Sequence, residues 1–145
     1  MENILVSACL LGENCRYDGK AKPNENIKKL KNTYNLIPVC PEVLGGLETP
    51  RSPAEILGRK VINKDGADVT AYFENGAEKA LETAIKNRCK IAVLKANSPS
   101  CGKGRVYDGS FSGKLIDGNG ICASLLLKNG IMVFDENNID TLLNL

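Results

Sequence analysis

Four short apolar runs, each continuous rather than alternating, constrain the fold of this chain more than any other feature. They are Ile4-Leu5-Val6-Ser7-Ala8, Leu36-Ile37-Pro38-Val39, Ile91-Ala92-Val93-Leu94 and Ile131-Met132-Val133-Phe134. Such runs suit strands whose sheet is covered on both faces, the usual situation in a parallel sheet. Pro38 fits only an edge or a strand start, because proline donates no ladder hydrogen bond.

Helical patterns separate the runs. Ile27, Leu30 and Tyr34 recur at i, i+3 and i+7 after Pro23 and Asn24, which read as start signals. Thr70 opens a longer pattern in which Phe73, Ala77, Ala80 and Ala84 form one stripe that ends near Asn87. A third begins near Asn119, turns Ile121, Leu125 and Leu126 inward and stops at Gly130. A last turn covers Asn138 to Leu145. The alternation predicts a three-layer αβα domain with a small, mainly parallel, Rossmann-like sheet of about four strands. At 145 residues the chain is expected to be one domain, residues 1–145.

Two segments stand outside this alternation. Pro41 to Pro53 has little periodicity and leads to Ile56–Ile62, a Lys64-Asp65-Gly66 turn and Ala67-Asp68-Val69, which together read as a hairpin insertion. Ser98 to Gly120 holds six of the fourteen glycines. Connections of that length are usually functional or disordered.

Histidine is absent, and this excludes much chemistry. No Ser-His or Cys-His nucleophile pair exists, and histidine-based zinc or iron sites are ruled out. Acid–base work falls to Asp, Glu, Lys, Tyr or Cys. Nineteen basic and seventeen acidic residues leave +2, without the basic excess of a nucleic-acid binder. Trp is absent, and four Tyr and three Phe make a base-stacking surface an unexpected feature.

Six cysteines are many for such a chain. Met1-Glu2-Asn3 lacks a positive n-region, and no stretch approaches the ~20 apolar residues of a membrane span. The expectation is a cytoplasmic protein with reduced or metal-bound cysteines, not membrane-associated. Cys9 closes the first apolar run, Cys40 closes the second, and Cys101 lies just beyond the third. Ligands bind outside the carboxyl ends of parallel strands, so these three thiols are expected to converge. Cys89 and Cys122 lie near helix ends without a loop motif and read as small core hydrophobes. Cys15 follows a turn close to Cys9 and reads equally as a fourth ligand or a bystander.

Three thiolates without histidine suit zinc or an iron–sulfur cluster. Paired C-x2-C knuckles are missing, which argues against a zinc ribbon. Glu42, two residues beyond Cys40, is placed to act as a general acid or base, or else is a solvated loop carboxylate. Asn97, Ser98 and Ser100 precede Cys101 and offer groups to orient a ligand. Arg16 and Tyr17, with Arg51 after Thr49-Pro50, read as an anion-holding pair of turns or as plain turn chemistry.

Four motifs then stand in order: Ser7-Ala8-Cys9-Leu10-Leu11-Gly12 with Cys15-Arg16-Tyr17-Asp18-Gly19; Pro38-Val39-Cys40-Pro41-Glu42-Val43-Leu44-Gly45-Gly46-Leu47 with Thr49-Pro50-Arg51; Lys64-Asp65-Gly66-Ala67-Asp68-Val69-Thr70; and Leu94-Lys95-Ala96-Asn97-Ser98-Pro99-Ser100-Cys101-Gly102. Over nearly its whole length the chain resembles the thiouracil desulfurase family. The resemblance implies a [4Fe-4S] cluster held by Cys9, Cys40 and Cys101, with one iron open to the sulfur of a thiolated nucleobase. It also implies a non-redox conversion of C=S to C=O with release of sulfide. Glu42 and Ser100 would be catalytic, and Asn97, Ser98, Arg16, Tyr17 and Arg51 would contact substrate. The implied partner is a small thiolated base or nucleoside, and the expected assembly is a monomer or homodimer. The alternative is a cysteine-based sulfur or zinc carrier without turnover.

Overall fold

A computed structural model describes residues 1–143 of the chain. The last two residues of the expected final helix lie outside the described part. Strand β1 (Glu2–Ser7) leads through a 3-10 turn (Ala8–Leu11) and helix α1 (Glu25–Lys29) to β2 (Tyr34–Val39) and the one-turn helix α2 (Pro41–Leu44). A hairpin of β3 (Ala54–Leu57) and β4 (Lys60–Asn63) follows, then α3 (Thr70–Lys86) and β5 (Ile91–Leu94). A second hairpin, β6 (Arg105–Tyr107) and β7 (Leu115–Asp117), precedes α4 (Ile121–Lys128), β8 (Met132–Asp135) and α5 (Ile139–Leu143).

The four apolar runs form one sheet in the order β2-β1-β5-β8, and every pairing in it is parallel. Both faces are covered, because successive side chains of a strand point to opposite sides. Ile4, Val6, Ile91 and Val93 pack with Ile27 and Leu30 of the α1 region and Ile139 and Leu142 of α5. Leu5, Ala92, Leu94 and Val133 pack instead with Ala77, Ala80 and Ala84 of α3 and Leu126 of α4. The result is the expected three-layer αβα arrangement. β2 is an edge strand, which is why Pro38 is accommodated opposite Val6.

Local signals explain some elements and miss others. The Asn24 side chain accepts from the N–H groups of Asn26 and Ile27, so α1 has a true N-cap. Five residues cannot hold a helix alone. Complete burial of Ile27 and Leu30, each contributing about 1.5–3 kcal/mol, holds it instead. The helix does not continue to Tyr34 as the i+7 spacing suggested. It tightens into a 3-10 turn at Leu30–Asn32, and Tyr34 begins β2.

The hairpin also differs from expectation. Ile56 pairs with Val61 across a turn at Gly58, whose φ of 64° needs glycine. Lys64-Asp65-Gly66 makes a second turn, after which Ala67, Asp68 and Val69 run back antiparallel to the Val61–Asn63 part of β4, and the Thr70 Oγ1 accepts from the Val61 N–H.

The Phe73, Ala77, Ala80 and Ala84 stripe is buried as predicted. Small residues on α3 allow α2 to come into backbone contact with it. A Cβ on Gly76 would stand 1.8 Å from the Pro41 carbonyl oxygen, and one on Gly45 would stand 2.0 Å from that of Tyr72. This contact seats α2, with Glu42 in its first turn, just beyond β2.

Candidate active site

Between β1 and β5 the order of the sheet reverses direction: the chain runs outward from β1 to β2 on one side and from β5 to β8 on the other. Connections diverge at such a switch point and leave a crevice beyond the strand ends. Here that crevice is a cavity of about 410 Å³, within the size range of small-molecule sites. Cys9, Cys15, Cys40 and Cys101 all line it, together with Glu42, Ser98, Ser100, Asn97, Arg16, Tyr17 and Arg51. Every sequence-predicted site residue therefore reaches one space. Cys89 and Cys122 do not; they are core residues, and burial raises both thiols' pKa values.

The cysteines are gathered but not stacked on a single point. Among the described residues no three His, Cys, Asp or Glu side chains form a site for one metal ion. The Cys15 thiol interacts with those of both Cys9 and Cys40, and the Cys40 Sγ lies 3.7 Å from the Cys15 carbonyl oxygen, to which it donates. Cys101 accepts from the Ser7 Oγ at 3.4 Å, and the Ser100 Oγ lies 3.6 Å from its sulfur. Ser7 is itself fixed, since its Oγ accepts from the Lys95 N–H at 2.9 Å.

Burial pushes the Cys101 thiol up to about 11, with Ser7 and Ser100 pulling the other way. Cys40 draws the Cys15 thiol down, but the interaction with Cys9 and burial outweigh it and leave it at about 11. Hydrogen bonding with Cys15, then burial, raises Cys40 as well. Burial and mutual contact thus favour the protonated form of Cys15, Cys40 and Cys101, and holding a metal centre would require their thiolates.

Glu42 is not a solvated loop carboxylate. Its Oε1 accepts from the Arg51 Nε at 3.1 Å, and its Oε2 accepts from the Ser100 Oγ at 2.9 Å. Ser100 in turn shares a 2.9 Å contact with the Ser98 Oγ. Arg51 has four of its five N–H groups engaged: beyond the bond to Glu42, its Nη1 donates to the Glu48 carbonyl and the Thr49 Oγ1 and its Nη2 to the Cys15 carbonyl, so it clamps the loops and keeps one Nη2 N–H at the cavity wall. Arg16 pairs with Asp18 at 3.6 Å and sits 5.6 Å from the Tyr17 ring centre.

Asn97 adopts φ 68°, a left-handed conformation that asparagine tolerates better than most residues. The turn it belongs to is held by the residue that follows β8: the Glu136 Oε1 accepts from the Ala96 N–H at 2.7 Å, and its Oε2 pairs with the Lys95 Nζ at 2.8 Å.

Several cavity residues escaped the sequence reading, among them Ser7, Glu55, Lys95, Tyr107 and Phe111. Glu55 alone left a trace, as a carboxylate in the middle of the otherwise apolar run Ala54–Leu57. Tyr17, Tyr107 and Phe111, three of the chain's seven aromatics, also border this cavity.

Four thiols around a crevice with an acid–hydroxyl pair define an α/β protein built to hold a soft metal centre beside proton-transfer groups. The profile of the 2-thiouracil desulfurase family matches residues 4–138, and the chain belongs to that family. It is 43% identical to the uncharacterized protein YbbK of Bacillus subtilis (strain 168), covering 97% of this chain and 99% of that protein. Among solved structures it is similar to the [4Fe-4S]-dependent thiouracil desulfidase TudS, with 45% identity, a TM-score of 0.93 and coverage of 99% and 96% of the two chains.

Proposed function

We propose that this chain is a [4Fe-4S]-dependent desulfidase that converts thiouracil and water into uracil and hydrogen sulfide. The observation that carries the reading is the Glu42–Ser100 hydrogen bond beside a cysteine-walled cavity. The donor set suits an iron–sulfur cluster, being soft, histidine-free and drawn from three separate strand ends. Cys9, Cys40 and Cys101 would hold it. When bound, the cluster supplies an open iron as Lewis acid for the sulfur of the substrate and as acceptor of the sulfide.

The protein's own residues do the rest. Ser100 and Ser98 orient the pyrimidine and the attacking water. Ser100 passes the proton lost by water to the Glu42 Oε2, and Glu42 returns a proton to the product. Arg51 holds the carboxylate in one orientation throughout, and Asn97 and Tyr17 border the base. The chain acts as a single domain, as a monomer or homodimer, on a free base or nucleoside rather than on nucleic acid. Six free cysteines suit a reducing cytoplasm, and among the described residues no helix is long and apolar enough to cross a membrane. A carrier without turnover needs no acid–base pair at the mouth, whereas Glu42 and Ser100 form one there.

The test is anaerobic purification, iron and acid-labile sulfide analysis, and assay of sulfide release from thiouracil. Equal iron and sulfide with release supports the reading; zinc in their place, or loading without release, sinks it. Cys122→Ala should separate core from site. We expect it to lower stability by about 1–2 kcal/mol while iron content stays normal, since Cys122 is fully buried away from the cavity. Denaturant unfolding and metal analysis of the variant check both halves.

A further inference from the structure

The glycine-rich Ser98–Gly120 segment is only partly used by this chemistry. Its middle is the β6–β7 hairpin, whose tip, residues 108–114, reaches the cavity through Phe111 and Gly113, with Tyr107 at its base. Two observations single out Phe111. Its backbone is left-handed, at φ 56°, a conformation that an aromatic residue rarely adopts without external support. That support is visible: the Glu55 Oε1 accepts from the N–H groups of both Gly109, at 3.0 Å, and Phe111, at 3.1 Å.

Glu55 is only 9% exposed, and a carboxylate is costly to bury unless hydrogen-bonded. Gly109 is so close to β3 that a Cβ there would stand 3.0 Å from the Ile56 carbonyl oxygen. The tip is therefore pinned to β3 by a buried charge and a tight backbone approach. Proton transfer between Ser100 and Glu42 requires none of this.

A pyrimidine has polar edges and two π faces. The strand-end loops carry groups for the edges, and the hairpin carries an aromatic ring for a face. We propose that Phe111 is the stacking platform for the ring of the substrate, with Glu55 as its positioning residue, and that the pair selects planar thiolated bases. This deepens the desulfurase reading and rests on it.

The experiment measures calorimetric binding of uracil, the product, to the cluster-loaded protein. Uracil is not consumed, so its affinity is defined whether or not the protein turns over. Phe111→Ala is expected to weaken uracil binding about 5- to 150-fold, the range seen when base–aromatic stacking is removed. Phe111→Tyr should restore it, and Glu55→Gln should weaken it by a smaller factor, because a charge-assisted acceptor is lost. The puckered 5,6-dihydrouracil should bind the native and Phe111→Ala proteins alike. In steady state Phe111→Ala should raise KM for 4-thiouracil and leave kcat nearly unchanged.

Native-like uracil affinity in Phe111→Ala overturns the proposal. So does equal loss of uracil and dihydrouracil, the sign of a purely structural role, and so does a native protein without uracil affinity. Sulfide release separates the two readings. Uracil binding without sulfide release removes the desulfidase and leaves the platform standing; sulfide release with no Phe111 effect on binding removes the platform alone.

Discussion

Cys40→Ala protein purified without oxygen is expected to carry no stoichiometric iron and to release no sulfide from thiouracil. Cys9→Ala and Cys101→Ala should behave in the same way. Each removes one of three thiolates, and a cluster with two protein ligands has no stable seat in a cavity of this shape. Metal binding also contributes to folding stability, so the loaded native protein should melt above its iron-free form, and the three variants should melt near the latter. The fold itself should survive, because the cysteines occupy loops beyond β1, β2 and β5, and alanine leaves the strands intact. Circular dichroism checks that point, and iron and sulfide analysis checks the rest. Cys15→Ala is the informative companion. Its thiol interacts with Cys9 and Cys40, yet it sits on a turn between β1 and α1, not at a strand end. We expect it to keep its iron. Loss of iron there would mean four thiolate ligands and no open iron, and retention of iron by Cys101→Ala would hand the third place to Cys15.

Much of this was legible in the sequence because a doubly covered parallel sheet writes itself as short apolar runs. Three of its strands end at a cysteine or a Ser-Cys loop, and strand ends are where such folds bind ligands. The α3 stripe was legible because seventeen residues give a 3.6-residue period room to show. Elements of one turn carry no period. Helix α2 could be seen only as Pro41 at a first helical position, and its seat against α3 depends on Gly45 and Gly76, which lie far apart in sequence. The site's wiring was hidden for the same reason. The Glu42–Ser100 contact spans 58 positions and the Glu55–Phe111 contact spans 56, and no local pattern announces either. Arg51 adds a role that its neighbours did not announce. They suggested an anion-binding turn, and three-dimensional packing engages four of its five donors with Glu42, Thr49 and backbone carbonyls.

That wiring makes Glu42→Gln the decisive test of catalysis. Glutamine matches glutamate in size, and its amide oxygen still accepts from the Arg51 Nε, so the loop and the cavity should keep their shape. What disappears is the capacity of Oε2 to take a proton from Ser100 and give it back. General acid–base groups contribute about 10²–10⁴-fold, so the turnover number should fall by that factor at unchanged iron content. Ser100→Ala should produce a deficit of the same kind, and combining the two should cost far less than the product of the single losses, because both act in one relay. Sulfide release by the native, single and double variants at matched iron gives the comparison. Equal rates for native and Glu42→Gln protein would reduce the carboxylate to a clamp for Arg51. Fully multiplicative losses would break the relay into two independent contacts and place the proton path elsewhere in the cavity.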